Sequence, residues 1–230
     1  HANVLTTPEH RISGGTFTLD FNGYQLASDT FTIHVANEGT ILTLTDTYDG
    51  NSRQSSVNCF GYDQSPVGVF DGADVTINAG TYHPRAFSCV WVGDGTAVTV
   101  TGGTFIDARN GIFYYQGGTL DLSHYPTTDT KGTTPLDNIY VYNTCYTLVI
   151  CDSTILLPEG YCFAERNREV TILDPRAYWI YPSSECLPPA LPAVATSADQ
   201  LVGTYDVLGL SAFYNMDEQW VTTISQDATD

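Results

Sequence analysis

Lysine is almost missing from this 230-residue sequence, in which Lys131 is the only one. Lys and Arg together number 8 against 26 Asp and Glu, so the formal net charge is −18. The scarcity of cations, rather than an excess of acid, causes this charge. Binding to nucleic acid or to an anionic membrane depends on clustered cations. The composition therefore argues against both partners and disfavours unassisted binding of a polyanionic sugar.

Several motifs and segment types are also missing. No run of eighteen apolar residues occurs, so we expect no transmembrane helix. The cysteines form no CxxC pair, which argues against a zinc site or a thioredoxin-like motif. No GxSxG, P-loop or HExxH motif is present. The sequence starts at His1 without a signal-peptide pattern, so we expect any export signal to have been removed.

A repeat of 22 to 33 residues is the most informative feature that is present. Its landmarks are apolar residues: Leu19, Leu44, Ile77, Val100, Leu122, Val149 and Ile172. Five positions before the first five landmarks stand glycines: Gly14, Gly39, Gly72, Gly95 and Gly117. Two positions before them stand further apolar residues: Phe17, Leu42, Val75, Val98 and Leu120. Five glycines in register indicate a true structural repeat.

Each repeat has the pattern of short strands and turns. Apolar and β-branched residues alternate with period two, which predicts strands of about five residues. The glycine marks a turn that requires positive φ or a close backbone approach. Nothing in the repeats has a helical period. Stacked repeats would pair equivalent strands at about 4.8 Å and bury the apolar columns in one continuous core.

This pattern, including the phrases GDGTAVTV and GGTF, resembles the right-handed parallel β-helix of the pectate-lyase-like superfamily and of secreted or surface-bound bacterial repeat proteins. The resemblance implies an all-β fold with a single right-handed parallel β-helix (a solenoid) of about seven coils. We expect residues 1–11 to form an N-terminal cap or lead-in and residues 12–185 to form the β-helix. Residues 186–230 are predicted to be a Pro-rich linker and a C-terminal segment that caps or covers the stack.

A second strand precedes each turn, and its outward side is predicted to be aromatic. Val90 and Val92 are aliphatic and should face the core, so the alternating positions should face outward. Counted back from the landmarks, the outward residues are aromatic: Trp91, Phe113, Tyr115, Tyr140 and Tyr142. Such a platform can bind sugar rings by stacking. The alternative is that a loop or the tail covers these rings as a second small core.

An acidic column stands six positions before three landmarks and contains Glu38, Asp71 and Asp94. Stacked carboxylates can hold calcium or act as general acid and base in glycoside cleavage. The alternative is ordinary Asp-Gly turn chemistry in contact with solvent. We expect no metal and no cofactor, with Ca²⁺ at this column as the exception.

Six cysteines fit an exported, oxidised protein, although buried thiols are the alternative. The spacing allows three bridges: Cys162 with Cys186, Cys59 with Cys89, and Cys145 with Cys151. Cys162–Cys186 would hold the tail on the last coil, Cys59–Cys89 would join neighbouring repeats, and Cys145–Cys151 would close a small loop.

The sequence thus predicts a non-catalytic solenoid module that is secreted or bound to the cell surface, with a glycan-binding, adhesive or structural role. A polysaccharide or cell-surface glycan is the expected partner. The alternative is a glycoside hydrolase or polysaccharide lyase that uses the stacked carboxylates. Few cations, a small number of coils and missing catalytic motifs weigh against an enzyme.

Overall fold

The computed structural model describes residues 4–6, 9–48, 55–106, 111–144, 155–164, 177–182, 203–211 and 216–224. These residues confirm an all-β fold, with one 3₁₀ turn at Leu136–Asn138. The strands are Val4–Thr6 (β1), His10–Asp20 (β2), Gln25–Ser28 (β3), Ile33–Thr45 (β4), Ser56–Cys59 (β5), Val67–Val69 (β6), Asp74–Ile77 (β7), Thr81–Pro84 (β8), Val90–Val92 (β9), Ala97–Val100 (β10), Thr104–Phe105 (β11), Phe113–Tyr115 (β12), Thr119–Asp121 (β13), Tyr140–Asn143 (β14), Ile155–Leu156 (β15), Tyr161–Ala164 (β16), Ala177–Pro182 (β17), Gly203–Ser211 (β18) and Met216–Ile224 (β19).

Most strands belong to two sheets. The first has the order β1-β3-β5-β8-β11, and all its pairs are parallel. The second has the order β15-β13-β10-β7-β4-β6-β9-β12-β14-β17-β16, with β2 paired on β4. Strands β2 and β4 are long and run through both halves of this second sheet. The result is a strongly curled sheet that is mixed, because β17 is antiparallel.

Equivalent residues of successive repeats pair with each other. Leu19 pairs with Leu44, Leu44 with Ile77, and Ile77 with Val100. The predicted landmark column is therefore confirmed over these four repeats. The column two positions earlier is also in register, from Phe17 to Leu120.

The apolar columns form one core. It includes Val69 and Val92 from one half of the curled sheet and Leu44, Val75 and Val98 from the other, all of which are fully or almost fully buried. The five-stranded sheet adds Val57 and the ring of Tyr82, whose hydroxyl donates a hydrogen bond to the carbonyl of Ala79 at 2.8 Å. Threonines face outward between the buried positions, and Thr18, Thr43, Thr76 and Thr99 pair in succession.

The predicted column glycines have the expected backbone conformation, Gly14 and Gly39 within the long strands β2 and β4 and the other three between strands. Gly14, Gly39, Gly72, Gly95 and Gly117 all have positive φ. Asp71 precedes Gly72 with φ of 54°, so two successive residues of this turn are left-handed. Asp and Gly are the residues that tolerate this conformation best.

Residues 124–137, between β13 and β14, are an insertion relative to the earlier repeats and do more than form a loop. Tyr125, Thr134 and Leu136 within it are buried. The Thr134 amide donates to the Gly103 carbonyl at 3.0 Å, and the Thr134 hydroxyl accepts from the Phe105 amide at 2.6 Å. Thr134 thus pairs with polar backbone groups at the edge of β11, and the insertion covers part of the core.

The ends of the stack differ from the predicted boundaries in two ways. Strand β1 and the first residues of β2 lie within the predicted lead-in but already pair with β3 and β4. At the other end, β17 runs antiparallel to both β14 and β16. The parallel pairing predicted through seven coils therefore does not continue past β14 in this half of the sheet.

Two predicted details of the late repeats also change. The strand that pairs with Leu120 contains Ile155, whereas the predicted landmark Val149 lies outside the described residues, as does Ile172. Beyond the predicted Pro-rich linker, β18 and β19 form an antiparallel two-stranded sheet.

The predicted bridge between Cys59 and Cys89 is wrong. Both residues are buried thiols without a disulfide. The Cys59 thiol donates to the Thr30 carbonyl at 3.0 Å, whereas the Cys89 thiol donates to the Ile106 carbonyl at 3.1 Å. Burial raises the pKa of Cys59 to about 11, so this thiol stays protonated at neutral pH. Cys145, Cys151 and Cys186 lie outside the described residues, so the other two pairings stay predictions.

Shortening a side chain on the core face of β4 should lower the free energy of unfolding more than shortening one on its outward face. Leu44→Ala removes a fully buried side chain and should lower the free energy of unfolding by about 2–5 kcal/mol. Ile41→Ala, on the outward side of the same strand, should cost less than about 1 kcal/mol. Urea denaturation followed by circular dichroism measures both. Equal losses would contradict the assigned faces of β4.

Candidate functional site: an aromatic cluster on the outer side of the curled sheet

The outward position of β4, β6, β9, β12 and β14 forms one line across the sheet. His34 pairs with Gly68, Gly68 with Trp91, Trp91 with Tyr114, and Tyr114 with Tyr142. Apart from Gly68, these residues are half-buried. Val90 and Val92, the neighbours of Trp91 within β9, are fully buried. Alternation along each strand therefore sends a row of rings to the outer surface.

Three aromatic residues predicted to face outward are instead buried: Phe113, Tyr115 and Tyr140. Phe113 and Tyr115 pair with Val90 and Val92, so they occupy core positions. Counting back from the landmark failed because the turn after β12 is shorter. Val98 stands six positions after Val92, but its partner Leu120 stands only five positions after Tyr115, the partner of Val92.

The same one-residue difference explains what the sequence analysis missed. Tyr114, between the two buried rings, is the outward residue that pairs with Trp91. Tyr140 is buried against Trp179, with ring centroids 4.1 Å apart. Trp91 and Tyr142 do face outward, as predicted. The ring contacts across neighbouring strands identify Tyr114, rather than Phe113 or Tyr115, as the outward-facing residue. These contacts depend on the register and cannot be inferred from one sequence.

Phenylalanines from neighbouring turns complete the cluster. Phe31 lies 5.7 Å from Trp91 and 5.2 Å from Phe70, measured between ring centroids, and both contacts are edge to face. Phe87 is buried and lies 4.7 Å from Tyr114. We call the whole set the aromatic cluster: Phe31, His34, Phe70, Phe87, Trp91, Tyr114 and Tyr142.

Gly68 makes room within the aromatic cluster. It occupies the outward position between His34 and Trp91, where a side chain would otherwise stand. A Cβ placed there would lie 2.6 Å from ring atoms of both Phe31 and Phe70. The two phenylalanine rings therefore fill the space that glycine leaves, and the row of rings continues without a gap.

Polar side chains fix two members of the cluster. The Trp91 indole Nε1 donates to Gln116 Oε1 at 2.7 Å. His34 Nδ1 lies 2.9 Å from Glu9 Oε2. These contacts orient the Trp91 and His34 rings, so the outer surface has a defined shape.

The orientation of the rings determines what a ligand would meet. Tyr114 and Tyr142 are stacked, with centroids 5.7 Å apart and 13° between their planes. Trp91 and Phe87 also stack, at 5.3 Å and 26°. Stacked rings cover part of each other's faces, and Trp91, Tyr114 and Tyr142 each stay partly exposed. The cluster therefore combines sheet stabilisation with a half-exposed apolar strip.

The acidic column consists of Glu38 within β4 and of Asp71 and Asp94 at the turns that follow β6 and β9. Glu38, Asp71 and Asp94 are all exposed, and Asp71 and Asp94 directly precede turn glycines. Glu38 lies next to the following turn, because a Cβ on Gly72 would be 3.5 Å from Glu38 Cα. Among the residues that the structure describes, no three His, Cys, Asp or Glu side chains are grouped so that they could hold a metal ion.

Comparisons with protein-family models, with curated proteins and with solved structures find no match to this chain. Within the described ranges, no helix is long and apolar enough to cross a membrane.

The fit of Phe31 and Phe70 around Gly68 can be tested by adding one methyl group. Gly68→Ala should destabilise the protein by about 1–3 kcal/mol, because both rings must move. Urea denaturation followed by circular dichroism measures the effect. In a Phe31→Ala/Phe70→Ala background, which lacks both rings, the same substitution should have no measurable cost. An equal cost in both backgrounds would contradict the packing described.

Proposed function

We propose that the stacked strands form a right-handed parallel β-helix. Support comes from the pairing of equivalent strands in three separate rows. One row is the five-stranded sheet, and the other two are the halves of the curled sheet that β2 and β4 connect. Along the chain the three rows receive strands in turn, as β6, β7 and β8 and then β9, β10 and β11 illustrate. A regular three-sided winding produces this order.

We propose that the protein is a non-catalytic extracellular or cell-surface module that binds a neutral glycan along the aromatic cluster. One observation carries this proposal: Trp91, Tyr114 and Tyr142 form a continuous, half-exposed line of rings across successive strands. An apolar strip of aligned rings favours contact with the CH-rich faces of sugars. Because successive rings follow the stack, a linear chain lying along it would meet several rings at once.

Charge limits the class of glycan. The formal net charge of −18 and the exposed carboxylates of Glu38, Asp71 and Asp94 would repel a polyanionic chain. A neutral polysaccharide avoids this repulsion. The tyrosine hydroxyls of the strip can supply hydrogen bonds that fix its orientation.

The alternative, a hydrolase or lyase that uses those carboxylates, needs two groups directed at one bond. Asp71 and Asp94 occupy exposed turns, and Asp71 has the backbone conformation of a turn residue. Turn formation already accounts for their presence, so a binding module is the stronger proposal.

Retention on neutral polysaccharides tests the proposal. Cellulose and chitin serve as insoluble probes, and xylan and mannan as soluble probes in affinity electrophoresis. The wild-type protein should be retained by at least one probe without producing new reducing or unsaturated ends. Tyr114→Ala should weaken that retention about tenfold, because the substitution removes the central ring.

Tyr62→Ala is the matched control, since Tyr62 is 57% exposed and lies outside the aromatic cluster. It should bind as tightly as the wild type. Retention by none of the four probes, or the same loss in both variants, would contradict the proposed strip. New chain ends that disappear in Asp71→Asn or Asp94→Asn would establish the enzyme instead.

A further inference from the structure

The strand at one end of the curled sheet has an open edge. β2 is eleven residues long and, among the described residues, pairs only with β4. In a parallel pair, alternate backbone groups of an edge strand point away from its partner. A long edge of this kind is a template for pairing with another strand.

Within the described residues, the apolar positions at this end are also only partly buried. Phe17 occupies the column of Leu42, Val75 and Val98, which are buried, yet it is itself 42% exposed. Ile12 and Leu19 are only partly buried, whereas their partners Val35 and Leu44 are fully buried. Another layer placed on β2 would remove this apolar surface from water.

The sequence of β2 is complementary to itself. In an antiparallel pair of two β2 strands centred between Gly15 and Thr16, Ile12 lies opposite Leu19, and Arg11 lies opposite Asp20. Directly opposite residues of such a pair are on the same side of the sheet. Within one chain, Ile12 and Leu19 both face the core, and Arg11 and Asp20 are both exposed. Apolar and charged positions therefore match in this one register.

Arg11 and Asp20, which would lie opposite each other in that pair, are both exposed and charged. Asp20 accepts hydrogen bonds from the Thr47 hydroxyl and amide, which lower the pKa of its carboxyl group and keep it ionised at neutral pH. Arg11 is an exposed cation in a chain that has few. Opposite charges across two strands stabilise the pairing, whereas like charges oppose it.

We propose that the β2 edge is the interface with a second copy of this chain, paired antiparallel about a two-fold axis between Gly15 and Thr16. β2 has positive φ at Gly14 and Gly15, where it passes from one half of the curled sheet to the other. The part of β2 before the axis in one copy thus pairs with the part after the axis in the other copy. Such an interface is isologous and closes with two chains.

The far end of the sheet favours this partner over head-to-tail stacking. There the neighbouring strand β17 is antiparallel, and β15 has only two residues. Neither offers a long parallel strand as a match for β2. The edge of β2 itself, in a second copy, does offer a match in length, polarity and charge.

Analytical ultracentrifugation of charge variants tests the proposed register. Ser13 and Thr18 are exposed, and the two-fold axis places each opposite the other in the second copy. In Ser13→Lys/Thr18→Lys, like charges would meet twice, whereas in Ser13→Lys/Thr18→Glu, opposite charges would meet twice. We expect the wild type to dimerise and the Lys/Lys variant to associate at least about tenfold more weakly than the Lys/Glu variant.

Three results would overturn the proposal: a wild type that is monomeric at every concentration, equal association of the two variants, or assemblies larger than a dimer. Circular dichroism establishes that both variants fold. A second measurement needs no variant: hydrogen exchange of the wild type at low and high concentration. The β2 amides should gain protection as concentration rises while β10 stays unchanged, and a β2 that gains none contradicts the interface.

Discussion

Backbone hydrogen bonds between equivalent strands of successive repeats determine which strand side chains face the core and which face outward. Because alternate residues of a strand face opposite sides, the pairing of Leu19, Leu44, Ile77 and Val100 also fixes the outward threonines beside them. A slip of one residue would exchange the core for the surface. The glycine turns preserve the register, since their positive φ values let the chain change direction between strands.

The regular arrangement of rings on the outer surface follows from the same strand pairing. The rings of Trp91, Tyr114 and Tyr142 follow one another because the strands beneath them are paired in register. The ring contacts of the aromatic cluster stabilise successive strands, and its half-exposed rings form the strip that we propose as a glycan-binding surface. Among the described residues, β2 pairs only with β4, and the ring of Phe17 in its core column is 42% exposed.

The sequence predicted the all-β fold and the landmark column because period, glycine turns and β-branched residues all depend on local chemistry. It failed wherever the register depends on one residue. Because the turn before Leu120 is one residue shorter, Phe113 and Tyr115 were predicted to face outward although they face the core. For the same reason the outward-facing Tyr114 was not predicted. The spacing of Cys59 and Cys89 predicted a bridge, but each thiol hydrogen-bonds to a different carbonyl. The antiparallel direction of β17 is set by tertiary packing, and no local pattern indicates it.

The parallel register is the central claim, and backbone nuclear Overhauser contacts in the isotopically labelled protein test it most directly. Strands β4 and β7 are the best place to measure them, since both are buried within the sheet. The account predicts contacts that join Ile41 to Asp74 and Leu44 to Ile77 in the same protein. Contacts that join Ile41 to Ile77 and Leu44 to Asp74 would show the strands to be antiparallel and would contradict it.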